Sequence, residues 1–170
     1  TSGFVVGVDP DAGTVAAACA AAPKNHWAGA SWDRHLRFFP AIPENLSQAC
    51  IEDGSFDLVY INSVVNLAWS LPVALAEFAR VLTPGGRLWI AQGVFAEDGF
   101  GAQGDIVGES GPIDVFSQAR SCAALERMCL EAGFSSVSFS SISPLVGESL
   151  SDGGCSDGES FYLADACATI

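Results

Sequence analysis

The stretch FDLVYINSVVNL, at residues 56–67, decides the fold of this chain. It opens with an almost wholly apolar run, Phe56 to Ile61, which is typical of a buried parallel strand. Asparagine and serine favour turns, and they dominate the part that begins at Asn62. The sequence therefore predicts a buried strand that is followed, at its carboxyl end, by a polar loop.

The stretch LAEFARVLTPGGRLWIA, at residues 75–91, continues the same unit. Ser70 can cap a helix over residues 71–82, because apolar side chains recur there at helical spacing. Pro84-Gly85-Gly86 then forces a turn, and residues 87–91 have the pattern of the next strand. The predicted order is strand, loop, helix, turn, strand.

Further elements are predicted on both sides of this unit. Strands are expected over residues 3–8, 27–31, 136–141 and 161–167, and helices over residues 10–22, 44–50 and 115–132. Asp9 can cap the first of these helices, and Pro10 suits its first position. Strands that alternate with helices predict an α/β fold with a mainly parallel sheet, covered on both faces. The last two strands have no helix between them and predict an antiparallel C-terminal hairpin at the sheet edge.

The composition limits the classes of partner. A chain of 170 residues, about half of them hydrophobic, fits a single globular domain over residues 1–170. Its net charge of −13, with seven lysines and arginines, argues against binding to nucleic acid, which needs cations against the phosphates. No apolar stretch is long enough to span a membrane. The sequence predicts a cytoplasmic protein or, since Thr1 is not methionine, a piece of one.

Ligands of an open parallel sheet bind beyond the carboxyl ends of its strands. This rule selects Asp9, the region Ser31–Asp33, the loop Asn62–Asn66, and Gln92 as candidates. It excludes Asp57, which enters its strand at the opposite end and is expected to be structural.

Other chemical motifs are weak. The six cysteines contain no C-x-x-C pair, so no metal site is predicted, and neither His26 nor His35 has a partner at a recognisable spacing. Residues 99–104 read G-x-G-x-x-G, but the motif needs a strand directly before it and a helix directly after it. This segment is expected to be a flexible lid.

The two stretches quoted above resemble the middle of a class I S-adenosylmethionine-dependent methyltransferase. Asn62 to Leu67, followed by Leu82 to Gly86, is similar to the arsenite methyltransferase branch in particular. That branch commonly has a thiol where this chain has Ser63, and soft arsenic chemistry needs thiolates, so arsenite is not the expected acceptor. The resemblance begins at the family's second strand. It implies a Rossmann-like sheet whose first strand and glycine-rich loop are missing from this chain.

The resemblance also assigns roles to residues. Asp9 would hold the ribose of S-adenosylmethionine, Asp33 or Trp32 the adenine, and Asn62 with Ser63 the reaction face. No general base is assigned. The expected function is methyl transfer to a small-molecule acceptor, as part of a longer protein, with this chain alone inactive. The alternative is a non-catalytic module of the same fold that acts in dimerisation or protein interaction, so association into a homo-oligomer stays open.

Overall fold

The computed structural model describes residues 3–24, 35–96, 119–144 and 161–170. They belong to two compact units, residues 1–52 and residues 53–170, and each is described by itself. The expected strand at residues 27–31 and the expected lid at residues 99–104 lie outside the described residues.

The first unit is a strand–helix–strand element. Its parts are strand β1 (Val5–Asp9), helix α1 (Ala12–Ala21), a 3₁₀ turn (Ala22–Lys24), strand β2 (Leu36–Pro40) and a second 3₁₀ turn (Leu46–Ala49). The two strands pair in parallel, with Val5 opposite Leu36 and Asp9 opposite Pro40. Strand β2 was not predicted, because its terminal proline was interpreted as a breaker. The proline is tolerated because it is the last residue of the strand, and Ala41 N–H donates to Asp9 O at 3.1 Å just beyond it.

Helix α1 begins later than its sequence predicts, and Asp9 does not cap it. The N-cap is Asp11, whose Oδ2 accepts a hydrogen bond from Thr14 N–H at 2.7 Å. Asp9 Oδ1 instead accepts the Asp11 N–H at 2.8 Å, which makes residues 9–11 a turn. The prediction that Asp9 caps the helix was therefore wrong by two residues.

The second unit is a four-stranded sheet with helices. Its elements are strand β3 (Phe56–Asn62), a 3₁₀ turn (Val65–Leu67), helix α2 (Leu71–Val81), strand β4 (Leu82–Ala96), helix α3 (Cys122–Glu131), strand β5 (Ser136–Pro144) and strand β6 (Phe161–Thr169). The strand order is β3-β4-β6-β5. Strands β3 and β4 are parallel, and β6 runs antiparallel to both β4 and β5. The predicted α/β fold, with parallel strands and an antiparallel C-terminal hairpin, is confirmed.

Helix α3 begins at Cys122 rather than near Val115. Ser121 is its N-cap, and its Oγ accepts the Ala124 N–H at 3.2 Å. The backbone just before the cap is extended, because Ala96 N–H donates to Arg120 O at 3.2 Å at the end of β4. Gly133, at φ 105°, follows the helix in the left-handed conformation that the sequence predicted.

One face of this sheet carries the core of the second unit. Its buried side chains come from both helices and two strands: Ala74, Leu75, Phe78, Val81, Leu88, Ile90, Leu125, Cys129, Ala166 and Ala168. Side chains of β3 on the other face, Leu58 and Tyr60, are 49% and 60% exposed. No helix of the second unit's described part covers them, although the sequence predicted cover on both faces. Among the described helices of the chain, none is long and apolar enough to cross a membrane.

Candidate functional site

The parallel pairing of β3 with β4 ends at Asn62, and β4 then continues beside β6 to Ala96. Asn62, the last residue of β3, is opposite Ala91 of β4. Ser63 N–H then donates to Ala91 O at 2.9 Å, which ties the loop after β3 to the neighbouring strand. The ligand edge predicted from the sequence therefore begins at Asn62, Ser63 and Gln92.

Two residues of this edge have a backbone conformation that side chains disfavour. Ser63 has φ 60° and Gln92 has φ 51°, both in the left-handed region. This conformation costs a non-glycine residue about 1–2 kcal/mol. Strain of this kind persists where the surrounding structure holds it, and it clusters at functional sites. The pair therefore identifies the edge as a candidate site independently of any resemblance.

Asn62 and Ser63 support each other. The Ser63 hydroxyl donates to Asn62 Oδ1 at 3.2 Å, and both residues are exposed. Among the described residues the Asn62 amide nitrogen makes no hydrogen bond, so its two N–H groups are free to bind a ligand. Ser63, which lies beside it, has a hydroxyl group and not a thiol.

Gln92 is the extra residue of a β-bulge. Ile90 is opposite Ala166 of β6 and Gly93 is opposite Ala164, so β4 has one residue more than its partner between these pairs. The Gln92 N–H donates to Asp165 Oδ1 at 2.9 Å. Asp165 thereby holds Gln92 in its left-handed conformation, and the Gln92 side chain is exposed at the strand end.

Asn66 fixes the start of the segment that leads to α2. Its side-chain amide is buried and pairs with the Val94 main chain, because Nδ2 donates to Val94 O at 2.9 Å and Val94 N–H donates to Oδ1 at 3.3 Å. The amide thus takes the place of a further residue of β3 beside β4. Asn66 belongs to the loop that the sequence selected as a candidate, and this pairing gives it a structural role.

Asp9 lies at the carboxyl end of β1 in the first unit. Because Asp11 caps α1, the Asp9 carboxylate has no role as the cap of this helix. One of its oxygens accepts the Asp11 N–H, and the other makes no hydrogen bond within the described residues. Trp32 and Asp33, the other two residues predicted to bind the cofactor, lie outside the described residues.

The cysteine nearest the core is chemically inert. Burial raises the pKa of Cys129 to about 12, so its thiol stays protonated at neutral pH. Within the described parts of the chain no three histidine, cysteine or acidic side chains come together to hold a metal ion.

Sequence reasoning missed Asp165. It lies inside an antiparallel strand, where the strand-end rule does not apply. Its contact with Gln92 depends on a bulge 73 residues away, and a single sequence gives no signal for such a bulge.

Comparisons with known proteins agree with this geometry. The model of a family described as "Methyltransferase domain" matches residues 1–90. No curated protein matches the sequence.

Three solved structures illustrate the similarity. CrArsM, an arsenic(III) S-adenosylmethionine methyltransferase from Chlamydomonas reinhardtii, is 24% identical at a TM-score of 0.74, over 97% of this chain and 55% of its own. YcgJ from Bacillus subtilis is 16% identical at 0.65, over 98% and 82%. An S-adenosylmethionine-dependent methyltransferase from Thermotoga maritima, titled a "possible histamine N-methyltransferase", is 20% identical at 0.54, over 96% and 72%. At these identities the likeness shows the class I methyltransferase fold. The chain spans about half the length of the first structures it matches.

Proposed function

Because this chain belongs to the methyltransferase domain family, we propose that it takes part in S-adenosylmethionine-dependent methyl transfer to a small-molecule acceptor, as part of a longer protein. The observation that carries the proposal is the strained polar edge at Ser63 and Gln92, which lies where the parallel pairing of β3 with β4 ends, the position at which ligands of such sheets bind. A single domain and a cytoplasmic location stay predictions.

The side chains fit the chemistry of S-adenosylmethionine. The free oxygen of Asp9 can accept a hydrogen bond from a ribose hydroxyl, and the Asn62 amide can donate to a carbonyl or carboxylate. Trp32 and Asp33 stay the proposed adenine contacts. When bound, S-adenosylmethionine supplies a methyl group on a sulfonium that is already activated.

The contribution of this chain to the reaction is positional. Transfer of an activated methyl group needs the acceptor in line with the methyl and the sulfur, and fixed geometry removes much of such a barrier. Hydrogen bonds from Ser63 N–H to Ala91 O and from Gln92 N–H to Asp165 Oδ1 tie down the backbone at this edge, which favours a preorganised site.

Calorimetric titration of S-adenosylhomocysteine into the full-length protein tests the proposal. Asp9→Asn keeps the side-chain size and loses a charged acceptor, so we expect affinity to fall by about tenfold or more. Asp57→Asn is the matched control, because Asp57 lies at the opposite end of β3 and accepts the Thr83 hydroxyl at 3.3 Å. Absence of binding to the unmodified protein, or equal losses in the two variants, would refute the proposal.

A non-catalytic interaction module is the second candidate. It is favoured by the exposed Leu58 and Tyr60 on β3, which is an outer strand of the four-stranded sheet and offers backbone groups for pairing. Sedimentation velocity tests it: this function predicts a dimer that Tyr60→Lys dissociates, and a protein that is monomeric at all concentrations counts against it.

A further inference from the structure

Two bulges flank strand β6 near Asp165. On β4 the extra residue falls between Ile90 and Gly93, opposite Asp165, and on β5 it falls between Ser140 and Ser143, opposite Ala164. The regular ladder is thus interrupted at Asp165 on the β4 side, while on the β5 side Asp165 pairs with Ser140 and the interruption comes at the next position. On one flank the interruption presents Gln92 N–H to Asp165, and on the other it places Ser141 at φ 57°.

We propose that Gln92 and Asp165 form the acceptor side of the site, and that this side takes small molecules that present N–H groups, amines above all, and rejects anions. This inference rests on the proposed methyl transfer and names the class of its acceptor.

The free hydrogen-bonding groups support this assignment. Asp165 uses Oδ1 for the Gln92 N–H, while its Oδ2 makes no hydrogen bond among the described residues. That oxygen can only accept, so it selects an N–H or O–H donor. The exposed Gln92 amide adds one acceptor and two donors.

The spacing leaves room for a small molecule. Asp165 lies on the second strand from Asn62, and neighbouring strands are about 4.8 Å apart, so the backbones at these two residues are roughly 10 Å apart. A single-ring amine can lie across this gap and contact both.

The local charge favours the same class. Four arginines belong to the second unit, and none is hydrogen-bonded to Asn62, Ser63, Gln92 or Asp165 within its described part. Arg80 pairs with Glu77 and Asp53, and Arg120 Nη1 contacts its neighbour's carbonyl, Ala119 O, at 3.4 Å. The remaining two, Arg87 and Arg127, lie at the start of the paired segment of β4 and in α3. Among the described residues of the second unit no arginine is bonded to the Asp165 carboxylate, so this carboxylate would repel an anion and attract a cation.

The test uses two probes of similar size and opposite charge, 2-phenylethylamine and 3-phenylpropanoate. Each is titrated into ¹⁵N-labelled full-length protein, and the amide signals of Gln92 and Ser63 report binding at the site. We expect the amine to bind about tenfold more tightly than the carboxylate. Asp165→Asn, which keeps an oxygen for Gln92 N–H, should abolish the preference, whereas the control Asp57→Asn should keep it.

Three results overturn the proposal: no shift of Gln92 with the amine, equal affinity for the two probes, or a preference that survives in Asp165→Asn. Binding of S-adenosylhomocysteine is measured on the same samples. If the protein prefers the amine but does not bind S-adenosylhomocysteine, the proposed methyl transfer is contradicted and the amine site is not. If it binds S-adenosylhomocysteine but does not prefer the amine, only the proposed class of acceptor is contradicted.

A second pair of variants tests Gln92 itself. Gln92→Gly relieves the left-handed backbone, so we expect the melting temperature to rise by about 1–3 °C while amine affinity falls. Ser141→Gly relieves the same strain on β5, and it should raise the melting temperature without changing amine affinity. If Gln92→Gly binds the amine as the unmodified protein does, Gln92 is not a ligand-binding residue and the proposal fails.

Discussion

Replacing Asn66 with alanine tests how the loop after β3 is held in place. The substitution removes two hydrogen bonds, from Asn66 Nδ2 to Val94 O and from Val94 N–H to Asn66 Oδ1. Both residues are buried, with Asn66 7% and Val94 8% exposed, so water can replace the lost partner only in part. The N–H and C=O groups of Val94 would then lose these hydrogen-bond partners beside the site.

The magnitude follows from this burial. Each unsatisfied buried backbone group costs about 1–3 kcal/mol, so two groups that water partly reaches should cost about 2–4 kcal/mol together. For a domain of this size each kcal/mol lowers the melting temperature by about 2–4 °C, and we expect a fall of about 5–15 °C.

Urea unfolding followed by circular dichroism gives the free energy, and Asn62→Ala is the matched control. Asn62 is the same residue type four positions earlier, and its amide is exposed, so its removal should cost about 0.5 kcal/mol or less. Asn66→Asp should destabilise at least as much as alanine, because a carboxylate oxygen would face Val94 O. If Asn66→Ala and Asn62→Ala lose the same stability, the pairing does not hold the loop.

Three other variants probe separate parts of the fold. Arg80 donates to Glu77 through two nitrogens and to Asp53 at 2.6 Å, and the single ammonium group of lysine cannot make all these contacts. Arg80→Lys should therefore lower the free energy of unfolding, measured in urea, by about 1–2 kcal/mol, and by less in 1 M salt. Hydrogen bonds from Thr14 and Gly13 lower the pKa of Asp11, so its capping stabilisation is complete above the usual value of 3.8 and is lost as the pH falls through the lowered pKa. The Thr14 amide shift should follow this loss, and Asp11→Asn should remove the pH dependence. Because the pKa of Cys129 is raised to about 12, iodoacetamide at pH 8 should alkylate Cys19 and Cys50 in the folded protein and spare Cys129 until it unfolds, as peptide mass spectrometry would show.

The parts of the fold that the sequence predicted are those that local patterns determine. The apolar run of β3 and the spacing of Leu71, Leu75 and Phe78 in α2 specify their elements without reference to the rest of the chain. Strand β2 was missed because Arg37 and Pro40 disturb its pattern, and its parallel pairing with β1 supplies the stability that the pattern lacks. The pairing with β1, and not the local sequence pattern, therefore makes this segment a strand.

The candidate site was predictable only on its parallel side. Asn62 and Ser63 lie at the end of β3, and Gln92 follows the last residue of β4 that pairs with it, so a general rule about parallel sheets locates them. Asp165 and the left-handed conformations of Ser63 and Gln92 depend on the register between β4 and β6. That register is set by a bulge, and the position of the bulge cannot be predicted from a single sequence.

The position of β6 between β4 and β5 has a consequence for the time course of folding. Strand β5 precedes β6 in the chain, yet it joins the sheet through β6, so it has no place to pair until β6 arrives. The pairing of β6 with β4 closes a loop of more than seventy residues at Asp165, and such long-range closures are slow. A nascent chain would therefore expose β5 and the open edge of β4 until β6 leaves the ribosome, and the Gln92–Asp165 contact would be among the last to form.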